Sequence, residues 1–268
     1  MNIEIHDLHF TYPAGVQALH AISLHIAAGE QIAIIGQNGA GKTTLVKHLN
    51  GLLKPTAGVV RIGDWDTKEH PVAKLARRVG YVFQNPDEQL FSKNVGVEVA
   101  FGPRNLGYNG EQVESLVKDA LAMTELSDKT ETNPYDLSPT WRKMVALASV
   151  IAMDTPIVIF DEPTTGQDVT NITRIAHVIK TLREHGKTVI TITHDIDFCA
   201  ENFERVIAMA QGKVLLDGKT IDVLGQDEIL ATTYVDPPQL TRLGKKLGFK
   251  NVVRNQEEFL AELTNNHT

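Results

Sequence analysis

The sequence is short of cysteine, of long apolar runs and of aromatic residues. Its 268 residues include one cysteine, Cys199, so no disulfide can form within the chain, which fits a reducing compartment. We interpret Cys199 as a small apolar residue on a helix. No apolar stretch approaches the roughly 20 residues needed to cross a bilayer, so work at a membrane would require docking onto another chain. Residues 1–10 have neither a basic start nor an apolar run, and they predict no signal peptide.

Positive charge is also scarce. Lys and Arg number 26 against 33 Asp and Glu, which gives a formal net charge of -7. Because phosphate backbones attract basic surfaces, this balance argues against nucleic acid as the main ligand, although a local basic patch is compatible with it. The 42% hydrophobic and 22% charged fractions are ordinary for a globular protein. The length allows one large domain, or one domain with an appendage.

Strand-like and helix-like segments alternate along most of the chain. Residues 31–36 (QIAIIG) and 157–160 (IVIF) are short apolar runs, which predict strands buried on both faces. Their alternation with amphipathic segments predicts an α/β fold with a mostly parallel sheet. Residues 3–10 and 22–26 alternate apolar with polar residues, which predicts antiparallel strands. Further strands are predicted at 58–64, 79–83, 188–193, 205–210 and 213–218, and helices at 42–53, 111–126, 138–153 and 169–185.

The pattern changes after about residue 219, where short helical segments flank the break DPPQL (236–240). We therefore predict a main domain at 1–219 and a small helical extension at 220–268.

A glycine-rich segment points to phosphate binding. Residues 36–44, GQNGAGKTT, match the pattern G-x-x-x-x-G-K-[ST] between a predicted buried strand and a predicted helix. Glycines let the backbone N–H groups face a phosphate, and the helix start presents the positive end of its dipole. Lys42 would neutralise β- and γ-phosphate charge, and the Thr43 hydroxyl would bind Mg²⁺. The residues expected to contact the nucleotide are Gly36, Asn38, Gly39, Ala40, Gly41, Lys42, Thr43 and Thr44.

A second segment, residues 157–163 (IVIFDEP), would supply carboxylates to the same ligand. Asp161 is expected at the carboxyl end of a strand, where ligands collect in open α/β sheets, and it would hold Mg²⁺ through water. Glu162 is placed to act as general base on a water beside the γ-phosphate. The alternative is a surface Asp-Glu pair that caps the next helix.

Three further residues are interpreted as functional only because these motifs are also present. His194 follows a predicted strand and would contact the γ-phosphate or the attacking water; alone, such a histidine is more often structural. Gln84 follows the segment VGYVF in the same way and would contact the metal ion; alone, it is an ordinary loop residue. Tyr12 would stack on adenine; alone, it is a packed edge aromatic.

Together these residues resemble the nucleotide-binding subunits of ATP-binding cassette (ABC) transporters over about residues 1–220. The order of motifs is that of the family: Tyr12, the phosphate loop, Gln84, a signature helix from 137 onward, Glu162, Asp168 in TTGQD, and His194. The resemblance implies a P-loop ATPase domain with a parallel sheet core, an antiparallel β subdomain and a helical subdomain at about 85–155. It also implies that Ser138 and Asp168 contact nucleotide.

A finer resemblance concerns the segments YVFQNPDEQLF and VEVAFGPRNLG and the extension DPPQLTRLGKKLG. They are similar to the ATPases of energy-coupling factor importers, including the cobalt and nickel type, which take up vitamins or transition-metal ions. This implies a second ABC ATPase subunit, an integral membrane coupling subunit and a substrate-binding membrane subunit as partners. It also implies a peripheral location at the cytoplasmic side of the cell membrane, an extension that helps dimerisation, and Asp87 and Gln89 near a groove for coupling helices.

The signature departs from the family pattern. The family has Leu-Ser-Gly-Gly-Gln, whereas residues 137–141 are Leu-Ser-Pro-Thr-Trp. We predict that Ser138 caps a helix whose first residue is Pro139. Pro139 has no N–H to offer a phosphate, and Thr140 and Trp141 would add bulk where glycine allows close approach. Our hypothesis is an asymmetric heterodimer in which this signature completes a site that binds ATP but hydrolyses it poorly. The alternative is that Ser138 and the helix dipole suffice.

The leading interpretation is a transport ATPase that uses ATP and Mg²⁺. Glu162 is the base, Lys42 stabilises charge, His194 senses the γ-phosphate, and Thr43, Gln84 and Asp161 contact the metal ion. The alternatives are the ATPase of another ABC transporter, a non-transport cassette that acts on nucleic acid, and a regulatory module without meaningful turnover.

Overall fold

The computed structural model describes residues 1–249 and 251–265. The fold consists of two β-sheets with helices around them. The strands are β1 (Ile3–Thr11), β2 (Gln17–Ile26), β3 (Gln31–Ile35), β4 (Ala57–Ile62), β5 (Trp65–Asp66), β6 (Val79–Val82), β7 (Ile157–Asp161), β8 (Thr188–Ile192), β9 (Arg205–Ala210) and β10 (Lys213–Lys219).

The central sheet has the strand order β10-β9-β3-β8-β7-β6. All neighbouring pairs in it are parallel except β10 with β9. Every residue of β3, β7 and β8 is buried, as expected for apolar strands covered on both faces. The predicted mostly parallel sheet is confirmed.

The second sheet is antiparallel, with the order β2-β1-β4-β5. Ile3, Ile5, Leu8 and Phe10 of β1 are buried, and the register shifts between Ile5 and Leu8. The expected antiparallel subdomain is therefore present. Strand β2 begins well before the predicted residue 22, because a tight turn over residues 12–16 returns the chain to pair with β1.

The helices are α1 (Lys42–Leu49), α2 (Val72–Leu75), α3 (Val95–Leu106), α4 (Gly110–Met123), α5 (Pro139–Ile151), α6 (Val169–Glu184), α7 (Ile196–Asn202), α8 (Thr220–Leu224), α9 (Asp227–Thr232), α10 (Gln239–Lys246) and α11 (Gln256–Asn265). Helix α1 ends at Leu49 rather than at residue 53, because Gly51 has a positive φ of 77° that the helix cannot continue. Helix α3 was not predicted.

Helices α3, α4 and α5 pack on one another within the predicted helical subdomain, whose bounds of 85–155 stay a prediction. Each is capped by a side chain that accepts a bond from the first turn: Asn94, Asn109 and Ser138. Cys199 lies on α7 and is fully buried, as interpreted from the sequence, and burial raises the pKa of its thiol.

Helices α8 to α11 form the C-terminal extension, so the expected short helices are present. Its role in dimerisation stays a prediction, and residues 250 and 266–268 of the predicted extension lie outside the described residues. No helix in the described part of the chain is both long and apolar enough to cross a membrane.

Candidate nucleotide-binding site

The predicted site residues lie where parallel strands end. Strand β3 is followed by Gly36, β8 by Thr193 and His194, β7 ends at Asp161, and β6 is followed closely by Gln84. The strands β3, β8, β7 and β6 are neighbours in that order. Their carboxyl ends therefore meet along one edge of the sheet, which is where such sheets bind ligands.

The phosphate loop has the backbone that its glycines predict. Gly36 has a φ of 143°, and a Cβ there would lie 2.1 Å from the carbonyl oxygen of Met209 in β9. Gly41 has a φ of 98° and precedes the first residue of α1, Lys42. The loop therefore passes tightly over β9 and ends at the helix N-terminus, where unpaired N–H groups attract anions.

Lys42 lies inside the loop. Its ammonium donates to the carbonyl oxygens of Gly36 at 2.6 Å and Gln37 at 3.1 Å. Burial lowers the pKa of Lys42, and the negative charges of Glu162 and Asp161 partly oppose this effect. The ammonium is thus anchored in the loop, with two carboxylates nearby. A bound phosphate would share this cation with them.

Asp161 is buried, and both of its carboxylate oxygens accept a hydrogen bond. Tyr81 donates to Oδ2 at 2.5 Å, and Thr43 donates to Oδ1 at 3.3 Å. Burial and the charge of Asp161 raise the pKa of Tyr81, which keeps the phenol protonated as the donor. A hydroxyl and a carboxylate oxygen side by side are the hard ligands that Mg²⁺ takes together with water and phosphate oxygens. These residues fit that ion.

Glu162 is 6% exposed and adopts a left-handed backbone with a φ of 51°. Such a conformation is strained for a residue with a side chain, and it is typical of functional positions. Its Oε2 lies 2.5 Å from Nδ1 of His194 and 3.2 Å from the Thr165 hydroxyl. Glu162 and His194 therefore form a direct pair, as their neighbouring strands allow.

Two adjoining cavities open over these residues. The first has a volume of about 480 Å³ and extends from Tyr12 across the loop to Gln84 and Glu162. The second, of about 580 Å³, extends from Gly36 to His194. Asn38, Gln84 and Glu162 line both, so the two form one continuous site in the size range of small-molecule pockets.

Tyr12 lies at the rim of the first cavity. Its hydroxyl is 3.0 Å from the Thr44 hydroxyl in α1, and the residue is 36% exposed. The ring is available to stack on a base, which stays a prediction.

A larger cavity, of about 700 Å³, lies at the opposite ends of the strands. It is lined by the first residues of β3 and β9 and by the extension. Its arginines, Arg183, Arg205 and Arg254, each pair with a carboxylate. We therefore place the nucleotide in the phosphate-loop cavities rather than in this one.

Ser138 and Asp168 do not line either phosphate-loop cavity. Ser138 caps α5 by accepting a 3.4 Å bond from the Trp141 amide, and Pro139 is the first helical residue, so both local predictions are confirmed. Asp168 caps α6 in the same way, through the Asn171 amide at 2.9 Å. In this chain neither side chain lines its own nucleotide cavities.

Trp141 is partly buried in this chain, and its predicted bulk toward a partner's ligand stays a prediction. Its ring packs against the large hydrophobic core, with the Lys129 ammonium 4.7 Å and the Arg174 guanidinium 5.0 Å from its centroid. The side chain is turned inward because an apolar ring gains from burial, and the cations on α6 and before α5 hold it there. Thr140 is partly exposed.

Gln89 is hydrogen-bonded on several sides, and its place near a groove for coupling helices stays a prediction. Its amide accepts from the Phe83 N–H and donates to the Ala146 carbonyl and the Ser149 hydroxyl. Gln89 therefore ties the segment after β6 to α5. Asp87 is exposed and pairs with Arg142 at 2.8 Å.

Sequence reasoning missed Lys143. This side chain is 2% exposed and donates to the backbone carbonyls of Phe83 and Gln84, so it holds the loop that presents Gln84. Burial lowers its pKa to about 8, against the opposing charges of Asp161 and Glu162. A lysine inside an otherwise apolar helical run was the available signal.

The contribution of the extension was also missed. The Gln37 amide in the phosphate loop donates to the Thr233 carbonyl at 3.1 Å. Tyr234, Val235 and Asp236 line the second cavity beside His194. No sequence pattern indicated this contact, because it joins segments that are almost two hundred residues apart.

A phosphate loop after a central strand and a buried aspartate at the end of a nearby parallel strand define a P-loop nucleotide-binding fold. The chain matches the family model described as ABC transporter over residues 19–165. The chain belongs to the ABC transporter ATP-binding family.

Three similar proteins indicate which type of ABC transporter ATPase this chain resembles. An ABC transporter ATP-binding protein of Pyrococcus horikoshii is 43% identical over 96% of this chain and 98% of its own length. An energy-coupling factor transporter ATP-binding protein, EcfA, of Methanothermobacter thermautotrophicus is 38% identical over 91% of this chain and 79% of its own length. The structure of cbiO1 from Clostridium perfringens, part of the complex cbiONQ, has a TM-score of 0.78 and 32% identity over 92% of this chain and 98% of that chain.

The chain spans less than half the length of two other curated relatives. It covers 41% of an ABC transporter ATP-binding protein from Methanosarcina acetivorans, at 42% identity, and 43% of one from Caldanaerobacter subterraneus, at 41% identity.

Proposed function

We propose that this chain is the ATP-hydrolysing subunit of an energy-coupling factor type ABC importer. The observation that carries the proposal is the meeting of Lys42, the Thr43–Asp161 pair and the Glu162–His194 pair in one pocket at the sheet edge. These groups supply a phosphate cation, metal ligands and a base within reach of one another.

The phosphate loop and Lys42 hold the β- and γ-phosphates. Thr43, Asp161 and Gln84 would hold Mg²⁺, which supplies charge neutralisation between phosphate oxygens. Tyr81 orients Asp161 for this role through its 2.5 Å hydrogen bond. Tyr12 stacks on the adenine ring of ATP at the rim of the pocket.

Glu162 is the general base. It takes a proton from a water whose oxygen bonds to the γ-phosphorus while the bond to the departing ADP oxygen breaks. The bond from His194 fixes the carboxylate, and His194 is more exposed than Glu162, so it can also contact the γ-phosphate. Lys42 meets the charge that develops on the phosphate oxygens.

A second ATPase subunit completes each site. Ser138 and Asp168 carry polar groups at helix N-termini but do not line this chain's own pocket, which supports a role toward a partner's nucleotide. Pro139 lacks an N–H, and loss of one such donor costs about 10²–10³ in rate in comparable sites. The pair is therefore asymmetric: this chain's own pocket turns over, and the pocket that its signature completes binds ATP and hydrolyses it slowly.

The partners at the membrane are an integral coupling subunit and a substrate-binding subunit, so the chain acts peripherally at the cytoplasmic side. Two exposed aromatic rings support the docking face: Phe91 and Phe101 are 61% and 49% exposed and contact edge to face at 4.8 Å. Phe91 belongs to the segment that follows Gln84, where an amphipathic coupling helix would sense the nucleotide site. The similarity to EcfA and cbiO1 supports the energy-coupling factor type. The resemblance of the sequence to that type implies a vitamin or a transition-metal ion as substrate.

The test is recovery of the intact complex. A tag on this chain, after gentle solubilisation, should retrieve a different cassette ATPase and two membrane proteins, and the purified complex should hydrolyse ATP. Glu162→Gln should lower turnover of this chain's own site by about 10²-fold or more while leaving ATP binding intact. Recovery of this chain only with itself, or with a nucleic acid, would contradict the proposal.

A further inference from the structure

Trp141, at the end of the altered signature, lies in contact with two cations. The Lys129 ammonium lies 4.7 Å and the Arg174 guanidinium 5.0 Å from its ring centroid. Both cations are partly buried, with 23% and 24% of their side chains exposed. Cation–π contacts of this geometry favour tryptophan over the other aromatic residues. The ring also packs against the main core.

Arg174 joins three separate segments. Its Nε donates to Glu125 at 2.8 Å, in the turn after α4, and its NH1 donates to Asn171 at 2.9 Å, one turn earlier in α6. Its guanidinium faces Trp141 in the first turn of α5. A planar, forked cation can do this at once, because it offers hydrogen bonds in its plane and its face to the ring.

The chain of contacts ends at Asp168. Asn171 donates to Oδ1 of Asp168 from its amide at 2.9 Å and from its side chain at 2.8 Å. At the other end, the Trp141 amide donates to the Ser138 hydroxyl. Ser138 and Asp168, which begin two different helices, are thus joined through Trp141, Arg174 and Asn171.

The geometry points to Trp141 as a positioning residue that holds Ser138 and Asp168 in one fixed relation. This inference rests on the proposed function, in which both side chains serve a partner's nucleotide. The aromatic residue in the signature therefore connects α5 and α6. It restores part of the positional precision that is lost with the absent glycines. We call Trp141, Lys129 and Arg174 together the Trp141 joint.

The first test measures the joint without ATP. The chain has two tryptophans, and Trp65 lies in β5 against Arg78. A Trp65→Phe background therefore makes Trp141 the sole reporter. In it, Arg174→Gln should raise the quenching of Trp141 emission by acrylamide, since one face of the ring is uncovered. Arg183→Gln, on the same helix but paired with Glu204, is the matched control and should leave the quenching unchanged.

A double-mutant cycle gives the strength of the contact. In urea unfolding, Trp141→Leu and Arg174→Gln should be coupled by about fivefold in the unfolding equilibrium constant, which is about 1 kcal/mol. Arg174→Lys should keep part of this coupling, because it retains the charge and loses the fork. The inference would be overturned if Arg174→Gln left acrylamide quenching unchanged, or if the two substitutions had additive effects on the free energy of unfolding.

The second test asks whether the joint positions the two side chains. In an assembled complex that also carries Glu162→Gln, this chain's own pocket is silent, and the remaining slow turnover comes from the pocket that Ser138 and Asp168 complete. In that complex, Trp141→Leu and Arg174→Gln should each lower kcat by about tenfold with little change in KM, as misplacement of catalytic groups does. Trp141→Phe should recover most of the loss. Equal turnover of all these variants overturns the positioning role. A complex whose wild type also lacks turnover contradicts the proposed function instead, and the fluorescence result then stands by itself.

Discussion

Replacement of Gly36 by alanine tests the account of the phosphate loop, and Gly39 offers a matched control in the same motif. Both glycines have positive φ, 143° and 82°. They differ in their surroundings: a Cβ at Gly36 would lie 2.1 Å from the Met209 carbonyl oxygen, whereas a Cβ at Gly39 meets nothing within 4 Å. The two variants thus share a backbone penalty, and one of them adds a clash.

The expected costs follow from these distances. A left-handed backbone costs an alanine about 1–2 kcal/mol, and Gly39→Ala should lose about that much of its free energy of unfolding. In Gly36→Ala the Cβ must move more than about 1 Å from the backbone of β9, and overpacking of this kind costs about 1–3 kcal/mol more. We expect the loop, rather than the strand, to move. Its movement would also displace Lys42, because Lys42 is bonded to the Gly36 carbonyl.

Urea unfolding and ATP titration measure the two effects. Gly36→Ala should be destabilised beyond Gly39→Ala and should bind ATP more weakly, because the loop N–H groups and Lys42 leave their positions. Equal unfolding midpoints and equal ATP affinities for the two variants would refute the close approach of the loop to β9.

Three further predictions follow from single contacts. Glu162→Gln should lower ATP turnover by about 10²-fold or more with ATP binding retained, as measured by phosphate release and nucleotide titration. Lys143 has a folded pKa of about 8, below its ordinary 10.5, so the unfolded state binds more protons between these values and the free energy of unfolding rises with pH there. Urea unfolding at several pH values should show that Lys143→Met removes this rise, about 3 kcal/mol in all; an unchanged slope would contradict it. Tyr234→Gly should raise Tm. Tyr234 has a φ of 54°, so the variant removes backbone strain, and because the residue is 78% exposed, it removes few packing contacts. Glu125→Gly is the control: its φ is 57°, but it pairs with Arg174, so its gain should be smaller or absent.

The signals that led from sequence to structure were local ones. The run at 31–36 and the glycines that follow predicted a buried strand, a tight loop and a helix starting at Lys42, and all three are present. Ser138 and Pro139 predicted a helix start correctly, because capping depends on residues within one turn. Boundaries were less certain: α1 and α4 end earlier than their apolar patterns, where Gly51 and Glu125 take left-handed backbone.

By itself, the sequence determined which groups the protein can bring to a phosphate and where in each strand or helix they stand. Periodicity and glycine placement act over a few residues, so they can be read along the chain. Tertiary structure alone decided what each group touches. It turned Trp141 toward Lys129 and Arg174, placed Lys143 under the Gln84 loop, and brought Thr233 of the extension to Gln37. Those contacts join segments distant in the chain, and only the packing of α5, α6 and the extension on the sheet brings them together.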